Sequence, residues 1–414
     1  MKSFGPGALL FGEDEKKELM DIISTGHLYR YGDADNPEFL RKVYTLERQI
    51  AEFATTKYCV AVNSGTSALL TALSAAGIGP GDEVLVPGYT FIASISSIVY
   101  ARAIPVLVEV DESLTMDPAD LEKKITDRTK AIVPVHMLGN PCNMDRIMQI
   151  AKQHNLIVIE DACQAFGGTF KGKKLGSFGL AGCFSFNRFK TINSGDGGAM
   201  VTDDEDIYKL GFAFHDQGHF PLRDGAEMGN RAILGLNFRM NELTGAVLLG
   251  QMKHIDYIPK KLRANKAIVK EILSEVEGLE FRRINDPEGE IGTLLTMRFP
   301  TVKAAEGFAA ELGGKPVYYS GWHVYDHMEQ LLGKKMPTKT GCPFTCPLYG
   351  QNPIYEKGML PQTDDLLSRS VSVGIGVIDK GNGAGFGINI LSSENEIIEM
   401  SKKLRDLAKK YVEQ

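Results

Sequence analysis

An α/β fold on a mainly parallel sheet is predicted for this chain by three observations. Short β-branched runs alternate with helical patterns from about residue 57 to 202. Those runs are apolar throughout rather than at every second position. After about residue 250 the pattern changes to a lysine-rich helical stretch followed by mixed short segments. Alternation of this kind calls for βαβ units, and continuously apolar strands are what a sheet covered by helices on both faces requires. The expected architecture is a central sheet flanked by helices (residues 1–252) with a smaller α+β C-terminal domain (residues 253–414). A chain of 414 residues is long enough for both to bury a core.

In order, Tyr58 to Val62 reads as a strand and Thr66 to Ala76 as a helix. Glu83 to Val86 and Ile104 to Val108 follow as strands, with the helical pattern Ile92 to Ala101 between them. Ala131 to Val135 is a strand, Met144 to His154 a helix and Leu156 to Ile159 a strand. Ile255 to Val276 is mostly helical, and Gly333 to Leu360 is rich in Gly, Pro and Cys. In the closing helix, Glu394 to Val412, the residues Ile397, Ile398, Leu404, Leu407 and Tyr411 form an apolar stripe.

Several classes of function are disfavoured. The net charge is −6, and no basic stripe is present to track a phosphate backbone, so nucleic acid is not an expected partner. The segment Met1 to Pro6 lacks the apolar core of a signal peptide, and no uninterrupted apolar run reaches the length of a membrane span. Cys59, Cys142, Cys163 and Cys183 sit in or beside apolar segments and read as buried thiols. Cys342 and Cys346 are spaced C-x-x-x-C without a companion pair, a poor metal site. A reducing, cytoplasmic compartment fits this usage.

Sheets of this type bind ligands at the carboxyl ends of their strands, and three motifs fall there. Asn63-Ser64-Gly65-Thr66-Ser67 links the first strand to its helix. Backbone N–H groups at a helix N-terminus attract phosphate, although a Ser/Thr cap is the commoner use of such residues. Asp161-Ala162-Cys163-Gln164 follows the strand Leu156 to Ile159. A carboxylate there ligates a metal, caps a helix or pairs with a protonated ring nitrogen, and no His/carboxylate cluster favours the metal. Phe184-Ser185-Phe186 precedes Lys190 and the turn Gly195-Asp196-Gly197-Gly198. A lysine in that position is either an exposed loop residue, as Lys171, Lys173 and Lys174 are expected to be, or a partly desolvated amine available for Schiff-base chemistry. Together the three supply what a pyridoxal 5′-phosphate (PLP) site needs: an anchor, a partner for the pyridine nitrogen and an amine for the carbonyl. Gly167 to Lys173 matches G-x-x-x-x-G-K, but Lys174 follows where a P-loop needs Ser or Thr. No G-x-G-x-x-G follows a strand.

With these residues in view, the sequence resembles the DegT/StrS-type sugar aminotransferases, which are fold-type I PLP-dependent transferases. The resemblance rests on Asn63-Ser64-Gly65-Thr66, Gly81-Asp82-Glu83-Val84, Thr90-Phe91, Glu160-Asp161-Ala162, Phe184-Ser185-Phe186, Lys190, Gly195-Asp196-Gly197-Gly198 and Gly235 to Met240. It implies that Lys190 holds the cofactor as a Schiff base and moves the proton, and that Asp161 partners the pyridine nitrogen. Gln164 would contact the ring oxygen, Gly65, Thr66 and Ser185 the phosphate, and Phe91 the ring face. Asn237 would reach the phosphate of a neighbouring subunit's cofactor, which implies a homodimer with shared sites. Two departures are Phe186 to Phe189 before the lysine, where relatives carry a proline and a small residue, and Asp196 where Glu is commoner. Lysine rather than histidine at position 190 sets the chain apart from the family's dehydratase branch. Gly321 to Asp326 and Gly341 to Phe344 resemble a subgroup that makes an 8-amino-3,8-dideoxy-octulosonate with L-glutamate as donor. His323 would then contact substrate or cofactor, and Tyr31 and Arg30 would line the acceptor pocket, the arginine meeting an anionic group. A nucleotide-linked keto-sugar or cyclitol is the alternative acceptor, and a non-catalytic sugar-binding protein the alternative class.

Overall fold

The computed structural model describes residues 4–33, 35–221, 231–338, 340–377 and 386–413. Among the described residues there are twelve strands: β1 (Tyr58–Val62), β2 (Glu83–Pro87), β3 (Ile104–Val108), β4 (Thr129–Ile132), β5 (Ile157–Asp161), β6 (Thr169–Phe170), β7 (Lys173–Lys174), β8 (Ala181–Ser185), β9 (Gly198–Thr202), β10 (Glu280–Phe281), β11 (Leu294–Arg298) and β12 (Ser370–Gly374). Seven of them form one sheet in the order β1-β9-β8-β5-β4-β2-β3. The pairs β8–β5, β5–β4, β4–β2 and β2–β3 are parallel, and only β9 runs against its neighbours. The sheet is therefore mainly parallel, as expected.

The strands are apolar on both faces because both faces are covered. Successive side chains of a strand point to opposite sides, and the core divides accordingly. Ala61, Leu85, Ile132, Val158 and Phe184 belong to one cluster, and Val60, Val84, Ala131, Ile159 and Cys183 to the other. Helices Gly65–Ala75 and Glu205–His215 pack on the β1/β9 end of the sheet. Ile92–Tyr100 packs against β2 and β3.

Most boundaries agree with the sequence reading to within a residue or two, and β4 is the exception. It begins at Thr129 and stops at Ile132, short of Val135. Pro134 has no N–H to give the ladder; instead its carbonyl accepts from Asp161 N at 2.9 Å. Val135 keeps a single bridge to Asp161.

The second sheet, β10-β11-β12, is antiparallel and drawn wholly from residues beyond 279. Helix Glu394–Val412 packs on helices Tyr257–Leu273 and Val302–Glu311. It opens with a capping box, in which Ser393 Oγ accepts from Glu396 N while Glu396 Oε2 accepts from Ser393 N. Ile397 and Leu404 of its stripe are buried, and Ile398, Leu407 and Tyr411 are half-buried.

The Gly/Pro/Cys-rich stretch covers the edge strand β3. Tyr355 Oη donates to Pro105 O at 2.8 Å, and Tyr349 Oη to Glu83 Oε1 at 2.7 Å. Cys342 and Cys346, which the sequence marked only as a poor metal site, are joined by a disulfide. Among the described residues no helix is long and apolar enough to cross a membrane.

Candidate active site

Asp161 is the last residue of β5, so its side chain emerges at the carboxyl end of the sheet. It is buried, with Oδ2 accepting from Ser94 Oγ at 2.6 Å and Oδ1 from Cys163 N at 3.1 Å. A carboxylate offers about four lone-pair directions, so two donors leave capacity for a further one. Ser94 comes from helix Ile92–Tyr100, and its hydroxyl is also 2.6 Å from Thr90 Oγ1. The sequence carries no signal for Ser94, because its value lies in a contact across 67 positions.

The turn after β1 enters helix Gly65–Ala75. Ser64 caps it, its Oγ accepting from Ser67 N at 3.1 Å. Capping and anion binding do not compete here, since the first-turn N–H groups of Gly65 and Thr66 have no acceptor within the helix. A methyl group at Gly65 would lie 2.7 Å from Ser185 Cβ and 3.0 Å from Cys163 Sγ. Glycine is thus needed for the helix end to close on Ser185, the last residue of β8. The pieces expected to hold a phosphate are contiguous, and Asp161 adjoins them through Cys163. Burial first, and the Asp161 charge second, push the Cys163 thiol well up.

Beyond β8 the chain turns, with Lys190 N donating to Asn187 O at 3.0 Å. The N-terminus braces this turn: Gly5 N donates to Arg188 O at 2.8 Å. A methyl at Gly5 would lie 2.5 Å from Lys190 O, so no larger residue fits. The sequence reading took these residues only as a non-signal N-terminus; the packing gives Gly5 a positioning role.

Lys190 opens into a cavity of about 510 Å³ shared with Phe91, Gln164, Trp322 and His323. That volume is in the range that holds a cofactor-sized ligand. Gln164 Oε1 accepts from Leu138 N at 3.0 Å. Phe91 lies 5.3 Å from the His323 ring and 6.5 Å, edge-on, from Trp322. Asp161, Gly65, Thr66 and Ser185 are not among the residues that line this cavity; Cys163, whose N–H donates to Asp161, also feels the Lys190 charge.

Two expected pocket residues are elsewhere. Arg30 is 1% exposed, its Nη2 donating to Glu47 Oε1 at 2.8 Å and its Nη1 to Ala61 O at 3.2 Å. Burial alone would depress its pKa, but Glu47 more than offsets this, so the guanidinium stays charged within a buried pair. It is therefore not an acceptor ligand. Tyr31, also buried, donates to Asp216 Oδ2 at 2.6 Å, and Arg239 Nη1 donates to Asp216 Oδ1 at 2.6 Å. This cluster supports the exposed segment that carries Asn237, which bridges Asp216. Residue type suggested a pocket, because Tyr and Arg suit both binding and buried pairing.

The cluster carries a pH dependence. His215 Nε2 lies 3.0 Å from Arg30 Nη1, and Nδ1 faces Phe212 O. Burial, then the Arg30 charge, depress the His215 pKa from 6.5 to about 3. A depressed histidine contributes stability above its unfolded pKa and loses it as pH falls. Unfolding free energy is thus expected to drop below pH ~6.5, by on the order of 2 kcal/mol at pH ~5. Urea titrations of wild type and His215→Gln check this; equal pH profiles for the two would refute it.

The fold is that of a fold-type I PLP-dependent transferase. A solved aminotransferase from Psychrobacter cryohalolentis superposes with a TM-score of 0.78 at 27% identity, covering 98% of each chain. A sequence model of the DegT/DnrJ/EryC1/StrS aminotransferase family matches residues 12–377, and the chain belongs to that family, whose cofactor is PLP. The GDP-perosamine synthase of Caulobacter vibrioides is 44% identical over 221 residues, 52% of this chain and 57% of that protein. The match thus spans little more than half of that relative's length. The L-glutamine:2-deoxy-scyllo-inosose aminotransferase of Micromonospora echinospora is 34% identical over 285 residues, 65% of this chain and 68% of that protein.

Proposed function

We propose that the chain is a sugar aminotransferase that carries an amino group from L-glutamate to a keto-sugar, with Lys190 as its covalent anchor and base. The observation that carries this reading is Lys190 in the wall of a ligand-sized cavity that Gln164 also lines, with Cys163 linking it to Asp161 and to the Gly65/Ser185 cradle. Bound PLP supplies a carbonyl that takes up the amino group and a ring that accepts the electrons of a broken C–H bond. Lys190 would hold that carbonyl carbon through Nζ. Once freed by the donor amine, its own amine would take the proton from the donor's amino-bearing carbon and deliver it to the former carbonyl carbon of the cofactor. Asp161 would hold a proton at the pyridine nitrogen, while Ser94 fixes the orientation of the carboxylate. Gly65, Thr66 and Ser185 would receive the phosphate, Gln164 the ring oxygen, and Phe91 a ring face. His323, beside Phe91, would meet substrate or cofactor.

Two acceptor classes have support. The segment resembling the octulosonate subgroup includes Gly321 and His323, which line the cavity, and this favours a free sugar acid such as 8-oxo-3,8-dideoxy-octulosonate. The names of the two relatives favour a nucleotide-linked sugar or a cyclitol. A homodimer with shared sites is supported by the exposed apolar side chains around Asn237, among them Leu28, Leu236 and the 98%-exposed Leu234.

Glutamate added to the PLP-loaded protein is expected to bleach the visible cofactor band, and a panel of keto-sugars to restore it. Competition by a nucleoside diphosphate would assign the acceptor to the nucleotide-linked class. A band indifferent to glutamate and to every other amino donor would end the aminotransferase reading.

A further inference from the structure

At the mouth of the Lys190 cavity two short 3₁₀ turns, Val317–Tyr319 and Gly321–His323, meet at Ser320, and the residues Tyr319–His323 line the cavity. Three of its side chains have no role in the cofactor chemistry above. Trp322 is 63% exposed although it lines the cavity, and among the described residues its one ring partner is the edge-on Phe91, so most of the indole surface is open. Tyr319 is half-exposed beside it. Ser320 is the opposite: 6% exposed, with an Oγ that has no hydrogen-bond partner among the described residues.

Large open aromatic faces at a cavity rim are unusual in a folded chain unless something covers them. A buried hydroxyl without a partner is unfavourable and is relieved when a ligand supplies one. Among the described residues that line the cavity, Lys190 is the only Lys, Arg, Asp or Glu. Among the described residues, the rim with its open aromatic faces and partnerless hydroxyl suits a neutral, hydroxyl-bearing ring.

We infer that Trp322, Tyr319 and Ser320 form the acceptor subsite, in which the indole packs on the apolar C–H face of the sugar ring and Ser320 Oγ bonds one of its hydroxyls. This rests on the sugar-aminotransferase reading and adds the residues that select the sugar. An anionic end of the acceptor, whether a carboxylate or a nucleoside diphosphate, then lies outside this rim.

Trp322 is the single tryptophan of the chain, so intrinsic tryptophan emission reports on this subsite alone. The PLP-loaded protein is titrated with 3-deoxy-octulosonate, with UDP-N-acetylglucosamine and with UDP. A change in emission with at least one sugar-bearing probe, and none with UDP, is the expected result. Ser320→Ala should raise the half-saturating concentration of that probe about fivefold. The glutamate concentration that half-bleaches the cofactor band should move less. Silence with both sugar probes overturns the inference, as does a UDP response equal to that of the UDP-sugar, which would place a nucleobase on the indole. An equal shift for sugar and glutamate also overturns it, since it would make Ser320 merely structural. The glutamate bleach is read in the same sample, so failure of the aminotransferase reading and failure of the subsite are told apart.

Discussion

Lys190→Ala is expected to lower turnover by on the order of 10⁴-fold or more, because it removes both the covalent anchor and the base. The fold should survive. Lys190 is only half-buried, and the turn that carries it is held by backbone bonds that Lys190 N donates to Asn187 O and Gly5 N to Arg188 O. The neighbouring lysines offer no substitute. Lys171 pairs with Asp145, Lys173 lies over the Phe178 ring, and Lys174 sits 3.8 Å from the centroid of Phe53. The measurement is an absorbance spectrum with PLP alongside a steady-state assay. Loss of the protein-bound visible band together with turnover is the expected pairing. A variant that keeps both would remove Lys190 from the mechanism and return the strand-end motifs to a phosphate site without covalent chemistry.

Asp161→Asn is expected to slow the glutamate half-reaction by about 10²–10³-fold, the range found when one preorganised electrostatic contact to a developing charge is lost. Asparagine preserves volume and can keep an acceptor toward Ser94, so packing at the end of β5 should change little. What it removes is the negative charge that holds a proton on the pyridine nitrogen. Single-turnover bleaching by glutamate measures this directly. A rate within about fivefold of wild type would show that the nitrogen needs no carboxylate here. Ser94→Ala should give a smaller loss in the same assay, since it frees the carboxylate to reorient without discharging it.

The sheet and the strand-end residues were legible because each rests on local information. A strand buried on both faces must be apolar on both, and β1, β5 up to Ile159 and β8 up to Phe184 show this without any knowledge of their neighbours. Asp161 and Ser185 end their strands and Gly65 and Lys190 come a few residues after theirs, so their place at the carboxyl ends came with the strands themselves. Capping residues such as Ser64 and Ser393 are likewise local. Arg30 and Tyr31 were misplaced because a residue type does not state its partner. Glu47, Ala61 and His215, which commit Arg30 to the interior, lie 17, 31 and 185 positions away.

The same limit explains the residues that only the fold reveals. Ser94 matters through Asp161, Gly5 through the Lys190 turn, and Ser320 and Trp322 through a cavity whose other wall comes from Phe91, Gln164 and Lys190. The linear order of apolar and polar residues was enough for the α/β class, the strand ends and the chemical groups set upon them, since short-range periodicity and strand-end position encode all three. Which groups meet, which are spent on buried pairs and what covers the mouth of the cavity were settled by tertiary packing, because those contacts join segments that nothing in the local sequence ties together.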